Sequence, residues 1–450
     1  MPAVFLFLVP LIFVAGCGAP SSQPLVEPIA PAQPTAGVSL VVETPSPLPP
    51  VVSEGPIETA TAPSNIEPEP TATIEGGIVP TPESMAVVRP DPNLTRPPVG
   101  TIERAPYAES DCSDKYPCNE DVEGWEARIR LPEGFEATYF TRIDGNPNVI
   151  TFGPDGLLYA ATMTGEVYRI DEEGEIDMYV DGFLAPTGLA FQPGTERLFI
   201  TSRVDDQNVN GEAEIAVIEN GEISQLFGRL PCCYVSMHSA NGIAFGPDGY
   251  GYVAVGGRAD HGEILSGPNA GLQDVLQPLE ASILRFSPDG KKIEPYARGF
   301  RNPYDIAWDA DGQLYTTDNA PDFGPPEEFH KVVPGGEHGY PWFDCDVCFP
   351  APEGVVIEPP THTFVPHSSP TGITAYLADQ FPGYFNSLFV TLWSAFPGAQ
   401  NIFWFSPGAE EMAEFATGFA APIDLTVGPD GSLFVLDWAT GIIFKISYTG

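Results

Sequence analysis

The sequence predicts an all-β fold, a six-bladed β-propeller, behind an apolar leader and a Pro-rich linker. Three observations carry that prediction. Of the 450 residues, 46 are Gly and 51 are Pro, with Pro crowded into the first hundred positions and Gly into the rest. A unit built around a Pro-Asp-Gly turn recurs along the second region. Helical periodicity of useful length is absent. A β-sandwich is the competing all-β architecture, and a six-fold related repeat fits it poorly.

The leader comes first. Residues 3–16, AVFLFLVPLIFVAG, form an apolar run that ends at Cys17. It is too short to span a bilayer, which takes roughly 20 residues, and it fits the core of an export signal. Val14-Ala15-Gly16-Cys17 resembles a bacterial lipobox, in which the Cys17 thiol takes the lipid and becomes the mature N-terminus. No Lys or Arg precedes Arg89, so the usual positive n-region is missing. The expected segments are a signal peptide over 1–16, lipidated Cys17 with a disordered linker over 17–100, and the propeller over 101–450. The chain is thus expected to be exported and anchored to the cell envelope by lipid alone.

The linker follows from composition. Residues 18–100 hold 19 Pro and no aromatic residue. Pro removes backbone donors and locks φ, so neither a helix nor a sheet interior forms. Little apolar surface is available to offset the entropy of ordering.

The body begins near residue 101. Phe152-Gly153-Pro154-Asp155-Gly156, Phe191-Gln192-Pro193-Gly194, Phe245-Gly246-Pro247-Asp248-Gly249, Trp308-Asp309-Ala310-Asp311-Gly312 and Val427-Gly428-Pro429-Asp430-Gly431 are related units. A degenerate sixth runs from Phe381 to Phe389. Pro presets φ and Gly accepts φ > 0, so each unit is a hairpin turn between two short strands. A repeat of roughly 40 residues made of such hairpins reads as propeller blades. Closing the ring needs a strand from the N-terminal side, for which Ala127–Leu131 and Ala137–Arg142 are the two candidates.

The net charge of −42, from 61 acidic and 19 basic residues, sets the partners. It excludes nucleic acid and docking on anionic lipid through a basic patch. It also makes each cation conspicuous. All hairpin turns lie on one face of the ring, so the residues that lead into each first strand and leave each second strand gather on the other. Units three to five carry long connections there, and all six histidines fall within them. Most of those histidines are expected to be structural. His238 leads into the first strand of unit three, Arg301-Asn302 into that of unit four, and Asp318-Asn319-Ala320-Pro321 leaves the next strand. A base, a fixed cation and an oxygen-rich loop therefore converge. Arg203 and Arg258 reach the same mouth, either to pair an anionic ligand or to bridge to neighbouring acids.

At these residues the chain resembles the soluble pyrroloquinoline quinone (PQQ) dependent sugar dehydrogenases, especially the L-sorbosone dehydrogenase-like branch. The likeness runs from about residue 125 to 450. It is carried by Leu131-Pro132-Glu133-Gly134-Phe135, Gly299 to Ala307, Thr317 to Pro321, Pro334 to Trp342, His367 to Gly372 and Asp379 to Pro382. The resemblance implies PQQ and calcium as cofactors and a sugar or related aldose as substrate. It implies His238 as general base, Arg301 and Asn302 at the quinone edge, and the backbone carbonyls of Ala320 and Pro321 as calcium ligands. The glucose-oxidising members carry arginines near the start of the last blade, where this chain reads Ala420-Ala421-Pro422-Ile423-Asp424. The calcium turn reads Ala-Pro rather than Gly-Pro. No Cys-x-x-Cys-His haem motif is present, so electrons are expected to leave to an external acceptor.

Six cysteines besides Cys17 remain: Cys112, Cys118, Cys232, Cys233, Cys345 and Cys348. An even number in an exported chain favours disulfides. The expected pairs are Cys112 with Cys118 and Cys345 with Cys348. Cys232 and Cys233 bridge each other or pair with the second couple, and the four from 232 to 348 forming a zinc site is the other option. Two further classes compete with the dehydrogenase. One is a calcium-dependent propeller hydrolase of the lactonase type, which needs a set of carboxylates at the mouth. The other is a ligand-binding propeller lipoprotein without catalysis.

Overall fold

In a computed structural model, the described residues are 117–118, 120–205, 211–234, 238–322, 325–342, 348–394, 396 and 398–450. The expected signal peptide, Cys17, the linker, Cys112 and Cys345 lie outside them.

The hairpins expected from the Pro-Asp-Gly turns are present, and each extends into a four-stranded antiparallel sheet. Strand β1 spans Phe135–Arg142. The first blade is β2 (Pro147–Phe152), β3 (Leu158–Thr162), β4 (Val167–Ile170) and β5 (Ile176–Val180). The second is β6 (Leu184–Phe191), β7 (Leu198–Asp205), β8 (Gly211–Glu219) and β9 (Glu222–Cys232). The third is β10 (Ala240–Phe245), β11 (Gly251–Val255), β12 (Ser282–Phe286) and β13 (Ile293–Arg298). The fourth is β14 (Pro303–Trp308), β15 (Leu314–Asp318), β16 (Glu327–Lys331) and β17 (His362–Phe364). The fifth is β18 (Pro370–Tyr376), β19 (Ser387–Leu392), β20 (Asn401–Phe405) and β21 (Met412–Thr417). The sixth holds β22 (Pro422–Val427), β23 (Leu433–Asp437) and β24 (Ile442–Tyr448), completed on its outer edge by β1.

Of the two segments that could close the ring, the second does so. Phe135 pairs with Tyr448 and Arg142 with Ile442. The first segment overlaps a helix that the sequence did not suggest, α1 (Val122–Arg128). Asp121 caps it by accepting the Gly124 amide, and Trp125 buries fully against the last two blades. At seven residues α1 is too short to show a period, and its stability comes from packing.

The turns work as their sequence suggests. Gly156, Gly249, Gly312 and Gly431 take φ of 82°, 78°, 81° and 82°, the region that glycine enters without strain. The Asp of the turn does a second job. Asp155 accepts the Leu157 amide and the Tyr159 hydroxyl (2.9 Å), and Asp248 accepts the Tyr250 amide and the Tyr252 hydroxyl (2.9 Å). In these two blades the motif ties the turn to its own second strand.

The first strand of each blade is innermost, and neighbouring blades meet through these strands. Two acids lie on this inner ring. Asp305 on β14 accepts the Ile373 amide of the fifth blade (3.0 Å), and Asp424 on β22 accepts the Ile150 amide of the first (2.7 Å). Glycine is required opposite them, because a Cβ at Gly242 would collide with Asp305 and one at Gly372 with Asp424. Acid and glycine thus interlock neighbouring blades around the axis.

Candidate functional site

The face opposite the turns brings the sequence candidates together. His238 lies just before β10, Arg301-Asn302 precedes β14, and Asn319-Ala320-Pro321 leaves β15. Gly256-Gly257, leaving β11, joins them. The His238 Nδ1 lies 3.2 Å from the Gly257 carbonyl, and the Gly257 amide donates to the Arg301 carbonyl at 2.7 Å. The Asn302 Oδ1 accepts from the Asn241 side chain at 3.0 Å. The Asn319 amide donates to the Asn302 carbonyl at 3.2 Å, and Arg301 Nη1 donates to the Asn319 carbonyl at 3.0 Å. One continuous set of hydrogen bonds thus links the third and fourth blades.

That geometry fixes the state of His238. A carbonyl only accepts, so Nδ1 carries the proton and Nε2 presents a lone pair. Among the described residues Nε2 has no hydrogen-bond partner. Burial, and then the Arg301 charge, hold the imidazole well below its usual range, so it is neutral. The Tyr234 ring packs edge-on at 5.0 Å, and burial pushes its phenol up to about 12. Gly256 keeps the wall open: a Cβ there would come within 3.0 Å of the His238 Cβ and 3.2 Å of the Asn302 Oδ1. Asn302 Nδ2 also has no partner among the described residues and can donate inward.

The three arginines differ. Arg301 is buried and held by Asp260 through Nε (2.9 Å) and Nη2 (2.6 Å). Arg258 turns its guanidinium to Glu280 (2.9 Å) and Asp274 (3.3 Å), which is the ion-pair alternative. Arg203 is buried on β7, and its charge acts on Tyr304 beside the Arg301-Asn302 segment.

Ala320 and Pro321 are buried at the same mouth. Glu327 holds the turn, its carboxylate accepting the Ala320 amide at 2.8 Å and the His367 amide at 2.7 Å. Burial pushes Glu327 up to about 7. Asp318, which the sequence places in an oxygen-rich loop, points the other way. Its oxygens accept the amides of Arg301 (2.9 Å) and Asn302 (2.7 Å). Asp318, Glu328 and His330 are buried with donor atoms within 4.8 Å of one another, a grouping that could hold a metal ion. Asp260, Glu327, Glu328 and His338 do not stand out from the sequence. They lie in polar stretches, Arg258-Ala259-Asp260-His261, Glu327-Glu328-Phe329-His330-Lys331 and Gly336-Glu337-His338-Gly339, so no local pattern sets them apart.

Cys232 and Cys233 bridge each other. Cys118 and Cys348 are each disulfide-bonded. A four-cysteine zinc site is therefore not formed. The vicinal bridge ends β9 and leads into the His238 loop, with Cys232 Sγ 3.5 Å from the Ser239 hydroxyl. Cavities of about 650 and 810 Å³ open on the turn side, and neither is lined by His238 or Arg301.

A family model described as glucose/sorbosone dehydrogenase matches residues 205–444. The chain belongs to this family. No curated protein matches it. Among solved structures, an oxidoreductase from Thermus thermophilus described as a glucose dehydrogenase is 19% identical, covering 70% of this chain and 100% of that one with a TM-score of 0.53. The PQQ-bound aldose sugar dehydrogenase of Streptomyces coelicolor is 16% identical over 70% and 99%, with a TM-score of 0.53. The apo soluble aldose sugar dehydrogenase of Escherichia coli is 16% identical over 70% and 99%, with a TM-score of 0.57. At these identities the structures establish the propeller. Membership of the glucose/sorbosone dehydrogenase family makes this chain an oxidoreductase of the sugar-dehydrogenase type, acting on a small sugar.

Proposed function

We propose that this family member is a PQQ- and calcium-dependent dehydrogenase of a sugar or related aldose, with His238 as base. The observation that carries the reading is the His238 geometry. Nδ1 is committed to the Gly257 carbonyl, so Nε2 offers its lone pair beside Arg301 and Asn302.

The residues present fit such a cofactor at its reacting edge. Asn302 Nδ2 and the N–H groups of Arg301 not bound by Asp260 or Asn319 provide donors for developing negative charge. The Ala320 and Pro321 carbonyls are oxygen ligands of the kind calcium prefers. Arg258 would reach the carboxylates of the cofactor only by giving up Glu280 or Asp274. PQQ, when bound, supplies the hydride acceptor. His238 Nε2 takes the proton of the anomeric hydroxyl as the C–H bond breaks, and a neutral imidazole is the form able to do so. With the cofactor bound, electrons would leave to an external acceptor. The PQQ-bound state of the Streptomyces coelicolor structure favours this cofactor. Export through the 3–16 run, and lipid attachment at Cys17, complete the proposal.

Reconstitution tests it. The purified protein is titrated with PQQ in calcium, and dye reduction is followed with a panel of aldoses. Quinone binding with aldose-dependent turnover is expected. His238→Ala should keep cofactor binding and lose turnover, and retained turnover would remove His238 from the role.

A further inference from the structure

Two buried acids face each other beneath the site. Asp318 on β15 and Glu328 on β16 are directly paired across the strands. His330, two residues on from Glu328, lies on the same face of β16. Their donor atoms lie within 4.8 Å of one another, so a metal ion is the first occupant to consider.

The hydrogen bonds around the cluster decide against it. The Val333 amide donates to His338 Nε2 at 3.3 Å. A backbone N–H can only donate, so His338 Nε2 is unprotonated, and a neutral His338 carries its proton on Nδ1. That nitrogen lies 3.3 Å from His330 Nδ1, which must then accept. The proton of His330 is left on Nε2, 3.1 Å from Glu328 Oε2, where it donates. One amide thus sets the direction of three successive bonds. A metal on His330 Nε2 would reverse them. Nδ1 of His330 would carry the proton, His338 Nδ1 would accept it, and a protonated His338 Nε2 would face the Val333 N–H.

We propose that Val333, His338, His330 and Glu328 form a directional chain, without a metal, that makes Asp318 the positioning residue for Arg301 and Asn302. Glu328 is satisfied by His330 on its own side. It therefore does not compete with Asp318 for the two amides at 2.9 and 2.7 Å. Those amides belong to the two candidate cofactor residues themselves, so the carboxylate of Asp318 sets where their side chains begin. With the opposite tautomers His330 would no longer donate to Glu328, which would be free to turn toward the two amides, and the Asp318 clamp would loosen. The role in cofactor positioning rests on the dehydrogenase reading above; the direction of the chain does not.

The test begins with the unmodified full-length protein. Long-range ¹H–¹⁵N correlation of histidine-labelled protein should show His338 protonated on Nδ1 and His330 on Nε2. The opposite tautomer at either ring overturns the proposal, as does a stoichiometric transition metal that is lost in His330→Leu. Two variants then read the consequence. His330→Asn keeps a donor toward Glu328 and should bind PQQ as the parent does. His330→Leu removes it and should weaken PQQ binding about tenfold, within the range seen when outer partners of a site are removed, with sugar KM unchanged. Equal PQQ affinity in both variants overturns the positioning role. If the parent binds no PQQ, the cofactor reading fails while the tautomers still decide the chain.

Discussion

The Arg301 guanidinium meets the Asp260 carboxylate through two of its nitrogens, Nε at 2.9 Å and Nη2 at 2.6 Å, with both side chains buried. The same Asp260 oxygen accepts the Asp322 amide at 3.1 Å, so it also ties down the chain beyond Pro321. Arg301 therefore arrives at the mouth oriented before any ligand binds. Removing one partner of a buried pair leaves an uncompensated charge and typically costs about 3–5 kcal/mol. Asp260→Ala should lower the unfolding free energy by roughly 3 kcal/mol in denaturant titration. It should also lower kcat more than it raises sugar KM, because Arg301 loses its fixed direction. Unchanged stability and turnover would show the pair to be incidental.

The inner ring predicts a pH dependence. Burial pushes Asp305 up to about 7 and, together with Asp305, pushes Asp424 well above the usual carboxylate range. An acid with a raised folded-state pKa contributes stability that is fully present below its unfolded value near 4 and is lost as pH rises through the folded value. Between those limits the folded state binds more protons, and stability falls by up to about 1.4 kcal/mol per pH unit for each proton. The buried histidines slope the other way. Burial holds His330 and His338 at about 3, so their contribution is lost as pH falls from the unfolded value of about 6.5. Asp305→Asn should flatten the loss of stability between about pH 4 and 7 in denaturant titrations. An unaltered profile would remove Asp305 from the account.

Much of the fold was legible because propellers repeat. The Pro-Asp-Gly turns located first and second strands. The outer strands were harder to see. Strand β5 reads Ile176 to Val180 with mostly exposed residues, and an outer edge needs no apolar alternation. Helix α1 was invisible because one buried residue, Trp125, holds it. At the site, His238, Arg301 and Asn302 were legible from their places before inner strands. Asp260 and Glu327 were not. Each acts through a side chain that folds back onto a backbone or guanidinium far away in sequence, a relation no local pattern records. Asp318 was legible as a position but not in its direction.

The vicinal bridge gives a third prediction. Cys232 and Cys233 are buried, and the bridge sits between the last strand of the second blade and the loop that delivers His238. Cys232 lies against Ser239, the neighbour of His238. Replacing both cysteines by serine should leave the blades folded, because neither sulfur links distant strands. The His238 loop should lose its anchor, and kcat should drop, by up to about a hundredfold if His238 shifts by roughly 1 Å. A zinc-selective chelator in excess calcium should not reproduce the effect, since no zinc is held by these thiols. Mass spectrometry of the intact protein before and after reduction checks the bridge, and wild-type turnover in the double variant would place it outside the site's support.

Glu327 offers the sharpest probe of the proposed calcium turn, because the carbonyl ligands themselves cannot be mutated away. Its two oxygens take the Ala320 and His367 amides at 2.8 and 2.7 Å. The Ala320–Pro321 carbonyls are therefore oriented by a carboxylate behind them. Glu327→Gln keeps one acceptor oxygen and sets an amide donor against one of the two N–H groups. Glu327→Ala removes both acceptors and leaves two buried amides unsatisfied, each costing about 1–3 kcal/mol. Calcium affinity, read by isothermal titration, should fall in the order parent, Gln variant, Ala variant, with about tenfold or more between the first and the last. Removing a distant negative charge would weaken calcium equally in both variants. A graded loss instead assigns the effect to the orientation of the turn, and equal affinities in all three proteins would move calcium away from Ala320 and Pro321.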